Sequence, residues 1–359
     1  MAVGEPAIKL TTYFEERDRT DDAFLADALF DVYQRHEMRT SVLLRGISGF
    51  GQHHGLHSER LLTLSEDLPA VSIAVDRRER IERMLPDVLA VTGHGLISLE
   101  RALLSTGPFD SLELPADPGA AVKLTMYGGR SIRSGGDAGY VGAIDALRAA
   151  GAAGASVLLA VDGTVHGERR RARFFARNTG VPLMLLAIGS ADSIGRALPD
   201  LAGLIDEPVA TIERVEIWKA GGAGVQSPSS PPDRDPSGLP ILQKLMIHCE
   251  EQASYRGEPL HVAIVRRLLE AGAAGATVLR GARGFYGDRE PFADRFLTLK
   301  RNAPVHVVLV DQPANVRRWW PVVDELTREA GLVTSELVPA AHAVKAGPPA
   351  LALADTRAR

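Results

Sequence analysis

The chain writes one domain three times, and nothing else in its 359 residues limits the fold so strongly. The stretch LLRGISGFG at 43–51 returns as VLRGARGFYG at 278–287. The same offset of 235 residues lays Glu16 on Glu251, Leu25 on Leu260, Pro69 on Pro304, Asp76 on Asp311 and Pro86 on Pro321. A third copy lies between. Pro69 and Pro86, Pro182 and Pro199, and Pro304 and Pro321 are each 17 residues apart. The first proline of each pair opens an apolar run, which a polar turn separates from residues at helical spacing. Each copy also begins with a lysine-led strand: KLTTYF from Lys9, KLTMYG from Lys123 and KLMIHC from Lys244.

Breaks in composition set the boundaries. Segment 105–120 is rich in Gly, Pro, Ser and Asp, and 220–240 (AGGAGVQSPSSPPDRDPSGLP) reads as a flexible or polyproline-like linker. The copies therefore occupy 6–104, 121–218 and 242–340, and the Ala/Pro-rich residues 341–359 read as a disordered tail.

Within a copy, IKLTTYF is a short β-branched strand. Leu25, Ala28, Leu29 and Val32 then fall at i, i+3, i+4 and i+7, one face of a helix. SVLLR and VSIAVD read as the second and third strands, and GLISLERAL as the fourth. Before the fourth, Asp76 and Glu79 suggest an Asp-led capping box for a second helix. The repeated proline starts or kinks that helix. The order βαββαβ predicts an α+β, ferredoxin-like unit with both helices on one face of an antiparallel sheet. The other face is expected to be apolar and open, so three tethered copies would close into an intrachain pseudo-trimer and the protein would be a monomer.

The bulk numbers narrow the function. A net charge of −4 with mixed signs argues against nucleic-acid binding. The single cysteine, Cys249, excludes an intrachain disulfide framework and fits a reducing compartment. Neither a signal peptide nor a run of about 18 apolar residues is present, so a cytoplasmic protein without membrane insertion is expected.

LLRGISGFG, HSERLLTLSEDLP and the VD that ends VSIAVD resemble the P-II-like domain family catalogued as domain of unknown function 190. The resemblance covers all three copies and is weakest in the second. That family is similar to P-II signalling proteins, ferredoxin-like trimers that bind adenine nucleotides between subunits and regulate transporters and enzymes. Its genes are often found beside fluoride exporters. The resemblance thus implies a non-enzymatic regulatory protein that senses a ligand, such as an adenine nucleotide, and acts on a membrane transporter or an enzyme. No resident cofactor is implied.

In the repeated phrase, glycines let backbone N–H groups approach an anion, and an arginine at a strand end is placed for a bidentate contact. The ligand-binding candidates are Arg45, Gly46, Gly49, Phe50 and Gly51, with Arg280, Gly281, Gly284, Phe285 and Gly287. Against this stands a plain corner, where glycines supply positive φ and the phenylalanines pack. The second copy has Leu159 and Ala160 for Arg-Gly and Thr164 for Phe, so a site built on it would be impaired. His53, His54 and His57 lack a carboxylate or cysteine partner and read as loop residues rather than a metal site. The basic run 169–177 reads as a solvated face, and Trp319 and Trp320 as packing. No nucleophile–base pair and no paired carboxylates recur, which disfavours an enzyme. A ligand-free adaptor that binds a protein partner is the alternative.

Overall fold

Each copy carries two helices and the same run of main strands, with strands divided or added in repeats 2 and 3. The computed structural model describes residues 4–21, 23–51, 57–58, 67–93, 95–105, 112, 114–115, 120–130, 138–172, 180–205, 208–287, 289–293, 302–329, 331–343 and 353. Repeat 1 runs β1 (Glu5–Glu15), α1 (Leu25–Arg35), β2 (Thr40–Phe50), β3 (Pro69–Arg77), α2 (Arg78–Val91) and β4 (Leu96–Ser105). Repeat 2 runs β5 (Ala121–Gly129), α3 (Gly139–Ala149), β6 (Gly154–Leu159), β7 (Asp162–Val165), β8 (Pro182–Ser190), α4 (Ala191–Leu201), β9 (Val209–Arg214) and an added strand, β10 (Glu216–Ala220). Repeat 3 runs β11 (Leu242–Glu250), α5 (Leu260–Glu270), β12 (Ala276–Arg280), β13 (Arg283–Tyr286), β14 (Pro304–Asp311), α6 (Pro313–Leu326), β15 (Leu332–Val338) and β16 (Ala340–Ala343). Strands of two residues are left unlabelled.

The first strand of each repeat lies between the third and the fourth, and the second strand flanks the third, all antiparallel. Repeats 2 and 3 keep this order, and register confirms the alignment: Lys9 faces Val75, Lys123 faces Ile188 and Lys244 faces Val310. The helices cover one face. In repeat 1, Leu25, Leu29, Ile81, Met84 and Val88 pack on Ile8, Leu10 and Leu99. Repeats 2 and 3 hold matching cores.

Strands also cross from repeat to repeat. The outer half of β2 pairs with β12, β13 pairs with β6, and β7 pairs with the inner half of β2. The cycle of repeats 1, 3 and 2 is closed. At the other edge, β4 pairs with β9, β10 with β15, and β16 with β4. Residues 341–343, expected in the tail, thus form part of a strand on repeat 1.

Three other expectations change. The face opposite the helices is not simply apolar. Its centre carries Lys9, Thr11, Ser98 and Glu100, all buried, ringed by apolar residues from all three repeats. Asp76 does not cap α2. Arg77 is the N-cap residue, and the Asp76 carboxylate accepts the backbone N–H groups of Arg39 and Arg77, each at 2.8 Å, tying two strand ends together. Segment 220–240 is not a loose tether. Asp235 accepts from the N–H groups of Ser237 and Leu239, and Asp233 accepts the N–H of Ala314 at 3.0 Å in the first turn of α6. Just before it, Trp218 is buried edge-on against Trp320, their ring centres 4.9 Å apart. Prolines stiffen this backbone, Asp235 folds the segment on itself, and Asp233 fastens it to repeat 3.

Candidate functional site

The repeated arginine–glycine phrase builds the junctions. Gly46, Gly49, Gly281 and Gly284 lie in or beside strands and have no positive φ. They are needed for close approach. A Cβ on Gly49 would stand 2.5 Å from the carbonyl oxygen of Ala276, one on Gly284 2.5 Å from that of Ala155, and one on Gly163 2.5 Å from that of Ser41. Gly46 and Gly281 leave no room for a Cβ beside Pro69 and Pro304, with the Pro Cγ atoms 2.6 Å away. The repeated glycines and the first repeated proline are therefore in contact. Gly287 alone of the predicted glycines takes positive φ, at 61°.

The phenylalanines cross the junctions. Phe50 enters the core of repeat 3, and Phe285 that of repeat 2. In the same register Thr164 faces Ser41, and its carbonyl accepts from the Thr40 hydroxyl at 2.9 Å. The arginines stay within their own repeats. Arg45 pairs with Glu16 and Arg280 with Glu251, each at 2.8 Å. In repeat 2, Arg130 donates instead to the Ala160 carbonyl. Arg169 and Arg171 pair with Asp27 of repeat 1 and are junction contacts, whereas Arg170 pairs with Glu168 of its own repeat. His53 and His54 lie outside the described residues. The backbone of His57 pairs with Gly49.

A cavity of about 490 Å³ opens at the junction of repeats 1 and 3, a size that suits a small molecule. Repeat 1 supplies Tyr13, Phe14, Glu15, Asp18 and the corner Gly49–Phe50–Gly51. Repeat 3 supplies the turn into β12 (Ala274–Thr277), Val308 and Val310 of β14, and Asp311, Gln312 and Asn315 at the start of α6. Three predicted residues, Gly49, Phe50 and Gly51, thus line a cleft, whereas Arg45, Gly46 and the second phrase do not. Asp311 Oδ1 accepts from Gln312 N at 2.6 Å and from Asn315 Nδ2 at 2.8 Å. Its Oδ2 is shielded from solvent and has no hydrogen-bond partner. Burial pushes the Tyr13 phenol well up, so it is protonated at neutral pH.

A second constellation sits where the three sheets meet. Lys9 contacts Glu100 at 2.8 Å and also Glu213. Lys123 contacts Glu213 at 2.7 Å and also Glu336. Lys244 contacts Glu336 at 3.2 Å and Glu100 at 2.5 Å. Six charges form a closed alternating ring, with no side chain more than 7 % exposed. Burial alone would raise Glu100, but the ammoniums of Lys244, Lys9 and Lys123 overcome it and hold its pKa at about 2. Burial would lower Lys9, and Glu100, Glu213 and Glu336 hold it well above its ordinary value. The three carboxylates lie within 4.8 Å of one another and match a metal set by type, yet two ammoniums already neutralise each. The lysines were visible as strand openers. Their partners were missed, although Ser98-Leu99-Glu100, Thr211-Ile212-Glu213 and Thr334-Ser335-Glu336 each place a glutamate two residues after a Ser or Thr in the fourth strand of a copy.

Among the described residues no helix is long and apolar enough to cross a membrane. The model of domain of unknown function 190, described as "Uncharacterized ACR", matches residues 7–104, 121–217 and 242–340. The chain belongs to this family, as three tandem members. A UPF0166 protein of Aquifex aeolicus (strain VF5) is 29 % identical over 98 residues, 27 % of this chain and 90 % of the relative. A further UPF0166 match from that organism is 36 % identical over 64 residues, 18 % of this chain and 67 % of the relative. The first relative is thus about one repeat long, and the family domain here occurs three times in one polypeptide.

Proposed function

We propose that the protein is a non-enzymatic, P-II-like regulator: three ferredoxin-like units arranged as an intrachain pseudo-trimer, with a small ligand held between units. The cavity between repeats 1 and 3 carries this reading. Its walls come from two repeats, so an occupant that fits one arrangement of those walls best shifts the molecule toward it. A partner such as a transporter or an enzyme would read that shift. The strand order within each repeat and the cyclic pairing between repeats support the pseudo-trimer. The absence of a recurring nucleophile–base pair in the sequence supports a binding role.

Thermal denaturation against a panel of ATP, ADP, AMP and small metabolites of other charge tests the reading. Saturation at 100 times the dissociation constant adds about 2.7 kcal/mol of stability. The expected result is a shift from at least one class that is lost when the cleft is filled by Gly51→Tyr. A flat response across the panel would favour the ligand-free adaptor.

A further inference from the structure

The three junctions share one plan but not one volume. Strand register places Tyr286 and Val165 where repeat 1 has Gly51. At the junction of repeats 3 and 2, the counterparts of the cavity walls close into an apolar cluster. Leu186 and Ile188 stand for Val308 and Val310, Leu332 stands for Leu96, and Tyr286 and Phe292 pack among them. At Gly51 the nearest atom to an added Cβ is 3.8 Å away, so among the described residues no side chain fills the matching space between repeats 1 and 3.

Among the described residues, the charges that line the open cleft have one sign: Glu15, Asp18 and Asp311 line it, and no Lys, Arg or His does. The start of α6 offers an anion little. Pro313 has no N–H, Ala314 N is taken by Asp233, and Asn315 N and Val316 N by the Gln312 carbonyl. The buried Asp311 Oδ2 without a partner needs a donor.

We propose that this cleft binds one small organic cation per chain, an amine- or guanidine-bearing molecule with an apolar body. Its charged group donates to Asp311, and its carbon skeleton lies against Phe50, Val308 and Val310. This rests on the ligand-sensing reading above and specifies its chemistry, placing the positive charge on the ligand rather than on Arg45 and Arg280.

Titration calorimetry of the full chain at constant ionic strength, with spermidine and agmatine set against ATP and AMP, tests it. One amine per chain is expected. Asp311→Asn, which keeps size and hydrogen bonding at α6, should weaken binding about 10-fold or more. Gly51→Tyr, which installs the side chain found at Tyr286, should abolish it, and Arg45→Ala should leave it unchanged. Melting curves establish that each variant is folded. Many weak amine sites indifferent to Asp311→Asn and Gly51→Tyr would overturn the inference. Nucleotide binding that Gly51→Tyr removes, without amine binding, would overturn the cationic class and leave the ligand-sensing reading standing. Silence from amines and nucleotides alike overturns the cationic class, and silence across the wider metabolite panel as well would overturn ligand sensing.

Discussion

At the scale of single residues, the phrase shared by the first and third copies is a clasp. Gly49 and Gly284 let one strand lie on the carbonyl of the next repeat, and Phe50 and Phe285 pass into the neighbouring cores. Gly49→Ala or Gly284→Ala should therefore cost about 1–3 kcal/mol through forced backbone movement. Gly51→Ala, two residues along the same corner, should stay within about 0.5 kcal/mol. Urea midpoints check this, and equal midpoints for the three would remove close approach as the reason for glycine. The sequence marked these glycines but could not separate positive φ from close approach, because the second cause lies on a strand more than 100 residues away. The arginines misled for a different reason, since their partners are only 29 residues away. Arg280 ends its strand as the pattern requires, whereas Arg45 lies in the middle of β2, and their partners are Glu16 and Glu251, an offset pair already present in the repeat.

At the scale of elements, β11 and β14 of repeat 3 carry a buried pair that the other repeats lack. His248 Nδ1 and His306 Nδ1 are 2.9 Å apart, so one donates to the other, and His306 Nε2 has no partner. Burial pushes both imidazoles down, His306 to about 3. Below the ordinary value of 6.5 the unfolded chain takes up protons that the folded chain refuses, so stability falls as pH falls toward 3. The slope is about 1.4 kcal/mol per pH unit for each histidine. His306→Met, which borrows the residue at the matching position, Met184, should reduce the loss of melting temperature between pH 6.5 and 5. An unchanged pH slope would contradict the assignment. Elements were the most legible level. Prolines 17 apart and lysine-led strands marked the helices and main strands of each copy, because helix and strand periods are local properties of the chain, but not the divided second strands of repeats 2 and 3 or the added β10 and β16. Asp76 was legible as a strand end but not as a tie to Arg39, and segment 220–240 was not legible as ordered, since its partners on α6 come about 80 residues later.

At the scale of the whole molecule, the ring of Lys9, Lys123, Lys244, Glu100, Glu213 and Glu336 joins the three sheets. Removing one member strands a buried charge, which typically costs about 3–5 kcal/mol. Lys123→Met should lower the unfolding free energy by that amount, and a loss below 1 kcal/mol would show that the ring relaxes around the gap. Acid has a defined window. Glu100, held at about 2 against an ordinary 4.5, supplies stability that is complete above 4.5, declines as pH falls and is gone below about 2. The inter-repeat pairings close within one chain, so sedimentation should give a single 38.4 kDa species, and a mass three times larger would refute closure. The same ring bears on how the protein is made. When repeat 1 leaves the ribosome, more than 250 residues are still to be translated, roughly 10–50 s of synthesis at about 5–20 residues per second. During that wait its unpartnered sheet face shows water a lysine and a glutamate at its centre rather than bare hydrocarbon. A surface that ends up fully buried thus carries a charge pair at its centre while it is nascent, which reduces the apolar area it offers to other chains before the third copy completes the circuit.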